Sequence, residues 1–170
     1  MGSRASAVSQ SGRFERARSF AELDVGSEWS KNHLANNYLA QGNREAALES
    51  LEGINQDSTF YLDSAVLQSC GQSTPEATEV AQLSEEAAMS NPDSEPKYWT
   101  GFLLAYCGHK EAALRLLKAA VDRNYCSFPA VDLNPLWAPL RDDPEFIEIR
   151  AQGIACRERF LEHVRRTGSG

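Results

Sequence analysis

Within the stretch YCGHKEAALRLLKAA, residues 106 to 120, the side chains Cys107, His109, Lys110 and Glu111 fall within five positions. A thiol two residues from an imidazole offers two chemistries. The imidazole can draw off the thiol proton to leave a thiolate nucleophile, or the pair can share a soft metal ion. A small helical enzyme using Cys107 and His109 is therefore one function class to weigh. Asp142 and Asp143 are a second candidate, adjacent carboxylates of the kind that move protons or hold a cation. His33 and His163 stand alone, with no cysteine or carboxylate partner at ligand spacing.

Each candidate has a plainer reading in the element that must position it. His109 follows Gly108 at what reads as a turn between two helices, where a residue caps the second helix. Asp143 precedes Pro144, the arrangement of an N-cap before a proline at the first helical position. There is no Gly-rich phosphate loop, no G-x-S-x-G and no H-E-x-x-H. The expectation is a chain without catalytic residues, metal or cofactor.

Charge narrows the partners. The formal net charge of −7 runs against phosphate binding. In the most basic stretch, RERFLEHVRR, Arg157, Arg159, Arg165 and Arg166 are offset by Glu158 and Glu162, so no nucleic acid is expected. No apolar run approaches the roughly 18 residues of a membrane span, and the N-terminus lacks the apolar core of a signal peptide. Cys70, Cys107, Cys126 and Cys156 lie far apart, without a C-x-x-C. They read as reduced, mostly buried thiols. The expected location is cytoplasmic, or periplasmic if the chain is cut from a membrane-anchored protein.

Strand signals are scarce, and Ala, Leu, Glu, Gln and Arg dominate the periodic segments, so the fold class expected is all-α. A helix from Ser27 to Gln41 carries Trp29, Leu34, Tyr38 and Leu39 on one side and stops at Gly42. Asn43 caps a second, with Ala46, Ala47, Leu48, Leu51 and Ile54 as its stripe. A third runs from about Thr59 to Cys70. A fourth opens with a capping box of Ser73 and Glu76 around Pro75 and ends at Asn91-Pro92. A fifth covers Glu95 to Cys107 with Ser94 as its cap, and a sixth Lys110 to Asn124. Pro129, Pro135, Pro139 and Pro144 then forbid one continuous helix, leaving a short helical turn at Pro135–Leu140. The last helix begins at Pro144 and carries Phe146, Ile149, Gly153, Cys156, Phe160 and Val164 on one stripe.

The sequence repeats itself. YLAQGNREAALESLEGI and AYCGHKEAALRLLKAAV both contain Gly, two polar residues, Glu-Ala-Ala-Leu, and a Leu three residues on. Gly42 and Gly108 are 66 residues apart, two periods of 33, and such a period means stacked helical hairpins. In each, Gly reverses the chain, and Ala47 or Ala113 five residues later lets the two helices approach. Gly12 and Ala17 repeat the pattern, as the second half of a hairpin whose first helix is missing or vestigial.

This pattern resembles the tetratricopeptide repeat. Ala35 and Gly101 fall on the small residue of the first helix and Tyr38 on its aromatic. Ala47 and Ala113 fall on the small residue opening the second helix, Leu51 and Leu117 on its large apolar, Ala120 on its later small one, and Pro92 on the terminating proline. Leu104 and Ile54 depart from the pattern, and the middle unit needs extra residues around GQST. The tail, with Leu136, Trp137, Leu140, Arg141, Pro144 and Phe146, resembles the closing segment of repeat arrays attached to bacterial eukaryotic-like serine/threonine kinases and winged-helix regulators. Asn134 replaces the acidic residue usual before Pro135.

The resemblance implies helical hairpins at 12–126 stacked into a right-handed superhelix, sealed by a Pro-rich segment and capping helix at 127–166. Residues 1–11 are read as an added or disordered end and 167–170 as an added end. It further implies a non-enzymatic scaffold binding a protein or peptide on its concave face, with contacts from Asn32, Asn36, Tyr98 and Phe102. Tyr106 is a fifth candidate, facing either core or groove. Tyr98 and Phe102 lack the charge of a carboxylate clamp. An alternative is a regulatory or sensory segment of a larger bacterial signalling protein, and a homodimer through an open terminal hairpin is a further expectation.

Overall fold

The computed structural model describes Glu15, Ser19 and residues 27–126 and 128–167, and all regular structure among them is helical. Gly12 and Ala17, the expected half-hairpin, lie outside the described residues. The order is α1 (Glu28–Ala40), α2 (Arg44–Ser50), α3 (Tyr61–Ser69), α4 (Pro75–Ser90), α5 (Glu95–Tyr106), α6 (Lys110–Asp122), α7 (Ala130–Leu133), a 3-10 helix (Pro135–Leu140) and α8 (Pro144–Thr167). The chain divides into two compact units between Ser64 and Ala65, within α3.

In the first unit α1 and α2 pack on each other. Ser27 caps α1 by accepting from the Ser30 amide at 3.1 Å. The helix ends as the sequence predicts. Gly42 takes φ +78°, its amide donates to Leu39, and the Asn43 amide donates to Tyr38, both at 2.9 Å. That pair of bonds is a Schellman turn, which satisfies the last carbonyls of a helix and needs a left-handed residue. Asn43 then caps α2, accepting from the Ala46 amide. Ala35, Leu39, Ala47 and Leu51 are the buried face, whereas Trp29, expected on the apolar side, is half exposed. The second helix is shorter than expected, ending at Ser50 because Gly53 adopts left-handed backbone (φ +75°). The Lys31 ammonium donates to the Glu52 carbonyl at 2.6 Å across the hairpin.

The second unit contains the matching hairpin, α5 and α6, closed by the same bonds. Gly108 takes φ +90°, its amide donates to Ala105, and the His109 amide donates to Leu104 at 2.9 Å. Ala113 is wholly buried. A Cβ on Gly101 would come within 3.0 Å of the Trp137 ring, so the small residue makes room for the closing segment as well as for α6. The turn recurs a third time where α6 ends. Asn124 takes φ 65°, its amide donates to Val121, and the Tyr125 amide donates to Ala120.

Two caps differ from expectation. Thr74, not Ser73, caps α4 by accepting from the Ala77 amide, because Pro75 at the first helical position fixes the cap at the residue before it. Ser94 makes no side-chain bond at the start of α5, and the Asp93 carboxylate accepts from the Glu95 amide instead.

The closing segment folds around Trp137. Asn134 accepts from the Leu136 amide to start the 3-10 helix, and Leu136, Trp137 and Leu140 are buried. Asp143 caps α8 as expected, accepting from Glu145 and Phe146 amides. The short α7, not anticipated, is tied to α8 by two 2.6 Å bonds between Arg150 and Asp132. Four of the six residues of the predicted α8 stripe are core. Phe146, Ile149, Gly153 and Cys156 are buried, but Phe160 is 61 % and Val164 45 % exposed, because the helix runs on past the elements it packs against.

The expectation of four reduced thiols is overturned. Cys70 is disulfide-bonded to Cys107 and Cys126 to Cys156, with Cα atoms 4.9 and 5.5 Å apart. Sequence separations of 37 and 30 hid the pairing, since the intervening helices fold back and bring each pair together.

Candidate interaction surfaces

Of the five residues assigned to a groove, three are enclosed. Asn32 is 4 % exposed and its side-chain amide nitrogen finds no partner. Tyr98 and Phe102 are each 6 % exposed. Their rings meet edge to face at 5.5 Å, Tyr98 lies 6.1 Å from Trp137 and 5.7 Å from Tyr125, and Trp137 lies 5.8 Å from Phe146. The face of α5 that was expected to greet a ligand therefore packs on the chain's own closing segment. Asn36 in the first unit and Tyr106 in the second are partly buried and keep some exposed surface.

Burial raises the Tyr98 hydroxyl above its ordinary range, eased by neighbouring Asn134 and Trp137 side chains. The Trp137 indole nitrogen nonetheless forms no hydrogen bond of acceptable geometry. Tyr125, beside Tyr98 and the carboxylates of Glu95 and Asp93, is pushed up to about 12, with burial the largest cause.

The cysteine-histidine pair takes a different form from either chemistry weighed above. Cys107 is the C-cap of α5 and is bridged to Cys70, so it presents neither a thiolate nor a free metal ligand in this state. His109 occupies the N-cap position of α6 but makes no side-chain cap bond, unlike Asn43 in the matching turn. His109 instead lines a cleft of 460 Å³ between α4 and α6, with Thr78, Gln82, Met89 and the paired Glu85 and Arg115. Arg115 grips Glu85 through two bonds of 2.6 and 2.8 Å, which raise the guanidinium further above its ordinary range. Asp143 is engaged by Lys110 at 2.5 Å as well as by its capping amides, and these hold its carboxyl below the usual range.

One residue that sequence reasoning passed over is Lys97. It is fully buried, and its ammonium donates to the Asn91 carbonyl at 2.5 Å and the Asp93 carbonyl at 2.8 Å. Burial is the main cause holding it below the ordinary lysine range, followed by the Arg123 charge, with Asp93 opposing. A lysine reads as surface. The only available signal was the turn Asn91-Pro92-Asp93 just before α5, a polar, proline-containing stretch between two helices.

At the start of α1, Trp29 stacks on His33 at 4.5 Å and meets Phe60 edge to face at 5.9 Å. Burial lowers the His33 imidazole below its ordinary value. Among the described residues, no group of three His, Cys, Asp or Glu side chains is placed to hold a metal, and no helix is long and apolar enough to cross a membrane. Compared with protein-family models, curated proteins and solved structures, the chain gives no match.

Proposed function

We propose that this protein is a non-enzymatic interaction module, in which tetratricopeptide-like hairpins stack into a right-handed superhelical strip and bind a protein or peptide segment. The observation that carries the reading is the repeated turn. Gly42 and Gly108, 66 residues apart, close their hairpins with the same two backbone bonds, and a buried alanine follows five residues after each. Repeated hairpins build a scaffold whose surface residues are free to vary with the ligand. Binding then costs the receptor little ordering. The accessible first-helix positions Asn36 and Tyr106 are the contacts in this reading.

The disulfides bear on where the module works. Bridges of this kind persist in oxidising surroundings and are rare in the cytosol, which favours a periplasmic or otherwise extracytoplasmic setting over a cytoplasmic one. A second reading, a regulatory segment of a larger signalling protein, draws on the resemblance of the closing segment, and the burial of Trp137, Leu140 and Phe146 supports it.

The test is selection of a peptide-display library on the immobilised protein, followed by calorimetry with the enriched sequence. Binding weakened at least about tenfold by Asn36→Ala/Tyr106→Ala, a loss of about 1.4 kcal/mol, supports the reading. No enrichment, or affinity indifferent to both substitutions, overturns it.

A further inference from the structure

The two disulfides differ in how their sulfurs are covered. Cys156 is 5 % exposed, on α8, which packs against α6. Cys126 keeps exposed surface, and its sulfur lies 3.5 Å from the Asn124 carbonyl, in the exposed stretch where the chain leaves α6. In the other bridge Cys70 is 8 % exposed, and the Cys107 sulfur is part-buried, 3.9 Å from the Val66 carbonyl. Of the four sulfurs, that of Cys126 is the least covered.

The backbone explains this placement. Asn124, in the left-handed conformation, ends α6, and the Tyr125 amide donates back to Ala120, so the chain turns off the helix just before Cys126. Gly153 of α8 receives it. A Cβ at that position would stand 2.9 Å from the Cys126 carbonyl, so a residue without a side chain is what lets the carbonyl rest on α8. Cys156, three residues further on, lies on the same side of the helix and meets the Cys126 sulfur from its buried face.

Opening a disulfide is a displacement in which a thiolate attacks one sulfur and the other leaves, so access to the attacked sulfur decides which of the two takes the adduct. Attack on Cys156 requires an approach through covered surface. Attack on Cys126 does not. Cys156, being buried, is the poorer leaving thiolate, which slows the step without redirecting it, because a sulfur that cannot be reached is not attacked. The protein stays folded through the exchange. Arg150 still holds Asp132 and Lys110 still holds Asp143, so the closing segment keeps its non-covalent ties when the bridge opens.

We propose that Cys126 is a thiol-exchange site, the sulfur at which the native protein takes up a small-molecule thiol, with Cys156 as the leaving and resolving cysteine. The thiolate bonds to the Cys126 Sγ, the bond between the two cysteines breaks, and Cys156 departs with its electron pair and takes a proton from water. A second thiolate attacks the outer sulfur of the adduct and releases Cys126, which is protonated in turn. The two small thiols end as their disulfide, and the bridge gains the two electrons they lose. The Cys70–Cys107 bridge stays closed while this happens. The site uses neither Asn36 nor Tyr106 and is independent of peptide binding.

The test is to expose the native, oxidised full chain to excess reduced glutathione, quench samples over time with N-ethylmaleimide, and map the adducts by peptide mass. Glutathione should be found on Cys126 and maleimide on Cys156, and this bridge should open at least about tenfold faster than Cys70–Cys107. Two variants read the same asymmetry without the return reaction. Cys156→Ser leaves Cys126 as a single thiol and Cys126→Ser leaves Cys156. Under native conditions maleimide should label the first at least about tenfold faster than the second, and in urea the two rates should converge. If circular dichroism shows either variant unfolded, the wild-type map decides alone. Glutathione on Cys156, earlier opening of Cys70–Cys107, or equal native labelling of two folded variants overturns the proposal.

Discussion

The Lys97 ammonium, enclosed beneath the turn that joins α4 to α5, ends on the Asn91 carbonyl at 2.5 Å. It also bonds the Asp93 carbonyl, and Arg123 reaches the Asn91 and Pro92 carbonyls from outside. The turn is held by cations because its carbonyls have no helical donors. Lys97→Met keeps the hydrocarbon stem but removes the ammonium from two part-buried bonds, leaving the Asp93 carbonyl short of this partner and the Asn91 carbonyl with Arg123 alone, and should lower stability by about 1–2 kcal/mol. Urea unfolding checks this, and an unchanged midpoint would show the ammonium to be dispensable.

Trp137 has no exposed surface and touches α5, through Tyr98, and α8, through Phe146. Trp137→Ala should cost about 3–5 kcal/mol, read as a lower melting temperature. A melt that does not move would mean the closing segment seals nothing.

Breaking either disulfide removes a constraint on the unfolded chain. For loops of 37 and 30 residues the expected loss is about 3–4 kcal/mol each. Cys70→Ser/Cys107→Ser and Cys126→Ser/Cys156→Ser should each melt earlier than wild type. Unfolded without reductant, the wild-type protein should expose no titratable thiol to a chromogenic disulfide reagent.

Acid should loosen the closing segment. Two bonds from Arg150 hold the Asp132 carboxyl below its ordinary value, partial burial opposing. A carboxylate with a depressed folded value contributes stability that is fully present above the unfolded value near 4 and is lost as pH falls through the folded value. Both side chains are about a third exposed, so the contribution is modest. Urea midpoints measured from pH 6 to pH 3 should fall more steeply for wild type than for Asp132→Asn, and parallel curves would remove Asp132 from the account.

The hairpins were legible because their determinants are local. A glycine that reverses the chain, an asparagine or aspartate that caps, and an alanine at the close approach act within a few residues, and Gly42, Asn43, Asp143 and Ala113 do what their types suggest. The surfaces were less legible because they depend on what comes later in the chain. Tyr98 and Phe102 were expected to face a ligand, yet both are buried, and Trp137, some forty residues on, packs against the Tyr98 ring. The cysteine pairs likewise become visible only once the helices fold back, and nothing in the stripe of α8 announces that Phe160 outruns its neighbours.

The bridge between Cys126 and Cys156 encloses the whole Pro-rich segment, α7 and the first half of α8 in one covalent loop. A protease that nicks the backbone anywhere inside that loop leaves both fragments attached. On a gel the nicked protein would keep its full size until a reductant is added, and the last helix would stay tethered beside α6, able to re-form its contacts after damage that would cost an unbridged chain its C-terminal end.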